Sequence, residues 1–135
     1  MPLIQWSDRL SIGIDSVDKQ HKVLISLLNK LSDAIAEDNA DLILAEIFDG
    51  LSAYTIKHFA YEEGLFKKYG YNGTEAHKHE HAALIKQIKN LRQKMDEGDS
   101  MVNVEVLDFL KEWLTYHILV SDKDFAPFLI KKGVT

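Results

Sequence analysis

The chain is expected to be all-α: an up-down-up-down four-helix bundle with an N-terminal arm packed along it and a short C-terminal helical segment. Three observations lead there. Four long stretches carry apolar residues at three- and four-residue steps. The only prolines, Pro2 and Pro127, leave the middle of the chain free of helix breakers. No run alternates apolar and polar residues as a half-buried strand does. The 135 residues, 46% hydrophobic and 27% charged, suffice for one domain over residues 1–135 with its own core.

The first fifteen residues, with Leu3, Ile4, Trp6, Leu10, Ile12 and Ile14, are too apolar to float free and are expected to form the arm. Asp15 and Asp18 then suit a helix start, one carboxylate as cap and one on the positive helix end. The first helix should run to about Glu37, with Val17, His21, Leu24, Ile25, Leu28, Leu31 and Ile35 inward. A second begins near Asp41, carries Leu44, Ile47, Leu51, Tyr54, His58, Glu62 and Leu65, and fades at Tyr69-Gly70. A third runs from Thr74 through His77, His81, Leu84, Ile88, Leu91 and Met95 until Gly98, a C-terminal stop. The fourth, after Asn103, shows Val106, Phe109, Leu110, Trp113, Leu114 and His117. Helices of about twenty residues are each roughly 30 Å long and, joined by short polar loops, make a bundle. Phe125 and Phe128 are expected as exposed apolar residues that cover the bundle end or a neighbouring subunit.

Composition narrows the function. The net charge of −5 and unclustered Lys/Arg argue against nucleic acid. No apolar run is long enough for membrane insertion, and MPLIQWSDRL lacks the layout of a secretory signal, so a cytoplasmic location is expected. With no cysteine, any metal must sit on imidazole and carboxylate.

All four stripes place histidine where periodicity calls for an apolar residue. Burying so many imidazoles unpartnered would cost several kcal/mol, and a bound metal satisfies them together. In HKHEH, residues 77–81, His77 and His81 are four apart and share a face, whereas His79 points out. His58 and Glu62 repeat that spacing, which makes Glu62 the inward acid and sets Glu63 about 140° from His58. Five imidazoles and one carboxylate are too many donors for one ion with an open position, so two ions are implied. Iron, zinc, copper and nickel all suit the donors. A seventh ligand belongs in HILVSDKDF. Ideal helical phase favours Asp124, seven residues after His117; Asp122, five residues on, lies about 140° off unless the helix is distorted.

The set H…HxxxE…HxxxH…HxxxxD, together with WSDRLSIGIDSVDKQHKVLISLLNKL, HFAYEE and WLTYHILVSDKDF, resembles hemerythrin, and in particular the single-domain bacteriohemerythrins, over essentially the whole chain. The resemblance implies two non-haem irons with a bridging oxo or hydroxo group. His77, His81 and His117 would bind one iron and His21 and His58 the other, with Glu62 and Asp122 bridging. It therefore prefers Asp122 to Asp124 and calls for a helix irregularity there. It further implies reversible dioxygen binding, end-on and as hydroperoxide, at the five-coordinate iron held by His21 and His58. Leu114 matches a position that the family uses beside bound oxygen, and Trp113 can line the same pocket. Phe59, Tyr61 and Phe66 read as packing around the second helix's ligands.

The function expected is oxygen carriage, storage or delivery rather than catalysis, since no extra inward acid, lysine or cysteine stands beside the ligands as a proton donor. A di-iron redox enzyme reducing peroxide, oxygen or nitric oxide is the alternative, as is an oxygen or redox sensor; iron storage is a further reading. Dioxygen is the expected partner, with a redox or oxygen-consuming protein left unidentified, and the chain is expected as a monomer or small homo-oligomer.

Overall fold

A computed structural model describes residues 3–37, 41–98 and 102–135, with side chains for all of these except 41–43 and 102–104. After a 3₁₀ turn at Asp8–Leu10 come α1 (Asp15–Ala36), α2 (Asp41–Tyr69), α3 (Thr74–Asp96) and α4 (Val102–Tyr116). A π-helical segment, His117–Asp122, continues α4 and leads into α5 (Lys123–Lys131). The four long helices pack in a closed ring, α1 on α2, α2 on α3, α3 on α4 and α4 on α1. This is the expected bundle, and the described residues contain no strand. No helix among them is long and apolar enough to cross a membrane.

Each helix turns its stripe inward. Val17, Leu24, Ile25, Leu28 and Leu31 of α1, Leu84, Ile88 and Leu91 of α3, and Val106, Leu110 and Leu114 of α4 are buried. Each such side chain contributes roughly 1.5–3 kcal/mol. The α2 face is rotated slightly from the expected one. Phe48, Thr55, Phe59 and Phe66 are buried with Leu44, Leu51, His58 and Glu62, while Ile47, Tyr54, Tyr61 and Leu65 lie at its edges. The α2 end is a glycine stop: Gly70 takes φ +69° and the Tyr71 N–H donates to the Phe66 carbonyl. Gly98, at φ +76°, closes α3 two residues beyond its last residue.

The arm packs as expected, with Leu10, Ile12 and Ile14 buried. Asn29 holds it at two points, accepting from the Ile4 N–H at 2.9 Å and donating to the Ile4 carbonyl at 2.8 Å. The start of α1 differs from expectation. Ile14 is the N-cap and no side chain caps the helix there. The Asp18 carboxylate instead turns back to the arm, accepting from the Ile12 N–H and the Ser11 hydroxyl. Phe125 also departs from expectation: it is fully buried, against Phe66 and His77, and Phe128 is half-buried against Tyr71.

Candidate metal centre

Toward the end of the bundle where α1 and α3 begin and α2 and α4 finish, the inward stripes meet in polar residues. His21 from α1, His58 and Glu62 from α2, His77 and His81 from α3, and His117 and Asp122 from the π segment are all buried. Their donor atoms form two overlapping groups, within each of which all atoms lie within 4.8 Å of one another. One contains His21, His58, Glu62, His117 and Asp122; the other contains Glu62, His77, His81 and His117. His79 and Asp124 are exposed and take no part.

The π segment is what admits Asp122. An α-helix would turn a residue five positions past His117 about 140° away, whereas i→i+5 pairing widens the turn and stacks positions five apart. Asp122 Oδ2 accordingly lies 3.0 Å from His117 Nε2 and 2.7 Å from His21 Nε2. Its other oxygen lies 3.3 Å from His77 Nε2.

Glu62 divides the histidines. Its Oε1 faces the Nε2 atoms of His81, His77 and His117 at 3.1, 3.5 and 3.5 Å. Its Oε2 faces those of His58 and His21 at 3.2 and 4.0 Å. Asp122 divides them differently, with Oδ1 toward His77 and Oδ2 toward His21, His117 and His58 at 2.7, 3.0 and 3.9 Å.

Electrostatics binds the set together. Burial works to raise the Glu62 carboxyl, but the charges of His58 and His117 outweigh it and hold it well below the usual range. Burial likewise works against a charged His117, yet the Asp122 and Glu62 carboxylates raise its pKa well above normal. His21 goes the other way, because burial outweighs its bond to Asp122.

Even so, many polar atoms are left over. His58, His77, His81 and His117 Nε2, both Glu62 oxygens and Asp122 Oδ1 are buried with no hydrogen-bond partner. Leaving such groups unmet costs about 1–3 kcal/mol each. They converge on one another, so cations between them would satisfy them at once, and the donor set of imidazole and carboxylate fits iron.

Two features of the surroundings were not visible in the sequence. The first is a set of groups behind the imidazoles. Gln20 Oε1 lies 2.7 Å from His58 Nδ1 and Glu63 Oε2 lies 3.1 Å from His81 Nδ1. Glu80 accepts from Ser121 and stands 3.9 Å from His117 Nδ1, an approach that helps hold its own carboxyl below the usual range. Each neighbours a cluster residue in sequence, which was the available signal. One residue on along a helix is about 100° round its axis, at the seam with the next helix. The second is stacking: Phe59 lies face to face with His81 at 3.7 Å and Trp113 with His117 at 4.8 Å.

Next to the cluster is an apolar cavity of about 10 Å³, room for roughly one small molecule. It is lined by Leu24, Thr55, Leu84, Trp113 and Leu114, each three or four residues from one of the histidines, and farther on by Leu28, Leu51, Ile88 and Leu110. Thr55 donates its hydroxyl proton to the Leu51 carbonyl.

Residues 12–129 match the family described as hemerythrin HHE cation binding domain. The chain is 36% identical to a bacteriohemerythrin of Stenotrophomonas maltophilia over 93% of this chain and 81% of that protein. It is 34% identical to a bacteriohemerythrin of Methylococcus capsulatus over 96% of this chain and 98% of that one. A crystal structure of wild-type hemerythrin superposes with a TM-score of 0.86 at 32% identity, covering 93% of this chain and 96% of that one. A variant of hemerythrin with one leucine changed to alanine gives 0.87, covering 94% and 97%.

Proposed function

The chain belongs to the hemerythrin family, and on that premise we propose that its buried cluster holds two irons and binds dioxygen reversibly, for carriage, storage or delivery. The observation that carries this reading is the split at Glu62, one oxygen toward three histidines and the other toward two. In this reading His77, His81 and His117 hold one iron, His21 and His58 the other, and Glu62 and Asp122 bridge them. An iron pair supplies one electron from each ion to dioxygen and recovers both on release.

The chain's own residues supply the rest. Three histidines against two would leave the His21 and His58 side one protein donor fewer, and dioxygen would be taken up on that side. Leu24, Leu84, Trp113 and Leu114 wall a cavity that admits a small apolar molecule and offers water few partners. Thr55, the polar residue in that wall, has its proton committed to its own helix. Contrary to the sequence expectation two further acids, Glu63 and Glu80, do stand beside the histidines, but behind the imidazoles, and among the described residues no carboxylic acid lines the cavity. That arrangement favours binding and release over reduction.

The test is the visible spectrum of the reduced, iron-loaded protein before air, after air, and after oxygen is removed again. A band that appears with air and disappears on deoxygenation supports the carrier. Irreversible oxidation in air without such a band points to a redox enzyme or sensor, and a protein that takes up no iron overturns the reading.

A further inference from the structure

Resting on the two-iron reading, we propose that Gln20, Glu63 and Glu80 are positioning residues that make the two metal positions unequal, the three-histidine position holding its ion more tightly. Each projects from beside a cluster residue on one helix toward a histidine of the next: Gln20 to His58, Glu63 to His81 and Glu80 to His117. Their chemistry differs by side. His58 is backed by a neutral amide at 2.7 Å, whereas His81 and His117 have carboxylates at 3.1 and 3.9 Å. His21 Nδ1 and His117 Nδ1 are both buried with no hydrogen-bond partner, but His117 has the Glu80 carboxylate near it.

An acceptor on Nδ1 keeps the proton on that nitrogen and turns the Nε2 lone pair toward the cluster; a carboxylate acceptor also makes the imidazole a stronger donor. Glu80 is too far from His117 for a hydrogen bond, and there it acts through its charge alone. Ser121 fixes it in place by donating to the same carboxylate oxygen that faces His117. The outer ring thus adds negative charge behind the position that already has three histidines and none behind His58. Ligand number alone would also favour that position, but it does not involve these three side chains.

The experiment is equilibrium competition of the anaerobic ferrous protein against a ferrous chelator, following iron released per chain. Wild type is expected to lose its irons in two steps. Glu63→Gln should lower the chelator concentration needed for the second, tighter step by about 10–100-fold while leaving the first in place. Glu80→Gln should act in the same direction by less, and Glu63→Asp should restore the tight step. Gln20→Glu should strengthen the weaker step and narrow the gap, a gain that damage to the fold does not produce. Glu63→Gln leaving both steps unmoved, or weakening both alike, overturns the proposal, as does Gln20→Glu weakening the first step. Wild type carrying fewer than two irons instead overturns the two-iron reading beneath it.

Discussion

Asp122 follows His117 by five residues, and yet its carboxylate lies 3.0 Å from the His117 Nε2. Only the wide turn of the π segment makes that approach available, and it separates the roles of two nearby acids. Asp122→Ala is expected to fall below two irons per chain, with affinity lost by about 100-fold or more, beyond what outer contacts give. Asp124→Ala, an exposed change, should keep both. Metal analysis after gel filtration decides; the reverse pattern would sink the assignment of Asp122.

Leu114 is buried one turn before His117 and lines the apolar cavity. Leu114→Ala enlarges that cavity toward the cluster and should cost about 2–5 kcal/mol in thermal unfolding. The added room lets water in, so autoxidation of the iron-loaded protein should accelerate. An unchanged autoxidation rate, timed by absorbance after oxygenation, would count against a gating role for Leu114.

The metal-free protein should lose stability on the alkaline side. Burial alone would lower His77, but the Asp122 and Glu62 carboxylates 3.3 and 3.5 Å from its Nε2 push it up to about 9 from 6.5. A pKa raised on folding stabilises fully below the unfolded value of 6.5, and the gain disappears as pH climbs through about 9. Melting the chelator-treated protein across that window should show Tm falling. Iron uptake should run the opposite way, strengthening toward pH 9, because His77 would have to shed its proton to ligate a metal. A Tm that stays level or rises across the window would contradict the first expectation.

Asn29 is the clasp of the N-terminal arm. Asn29→Ala removes both hydrogen bonds to Ile4 and should cost about 1–2 kcal/mol. It lies two turns from His21, so iron content should stay at the wild-type value. Amide exchange of residues 4–6 measures the release directly, and protection equal to wild type would show that packing of Leu3 and Trp6 suffices.

Much of the architecture was legible because 3.6-residue periodicity is a strong signal in long helices, and histidines on apolar stripes break the pattern conspicuously. His21, His58, Glu62, His77, His81 and His117 could be turned to the inward faces on phase alone. Asp122 could not, since ideal phase turns it away and only the family resemblance preferred it. The π turn does show in the burial pattern: the buried pairs His117/Ile118, Ser121/Asp122 and Phe125/Ala126 recur every four residues, wider than the 3.6 of an α-helix. Gln20, Glu63 and Glu80 escaped notice because polar residues at a helix seam look like any solvated face. Asp18 read as a dipole partner because nothing in its spacing shows that the preceding arm doubles back within reach.

The π segment also constrains how this chain can vary in length. Leu110 and Leu114 before it and Phe125 and Leu129 after it line one core from one continuous rod. Removing a single residue between 118 and 121 while restoring ordinary winding would set the acid four residues after His117, and four α-helical steps turn about 400°, close to what the five steps of the wider segment cover. Asp122 and the Phe125–Leu129 ridge would then keep facing the core, because the wide turn had been absorbing the extra residue. Only one residue can be lost in this way: a second gap would find no wide turn left to absorb it and would swing everything downstream by about 100°, so descendants of this sequence should accept substitutions at the exposed position 120 long before they accept two gaps.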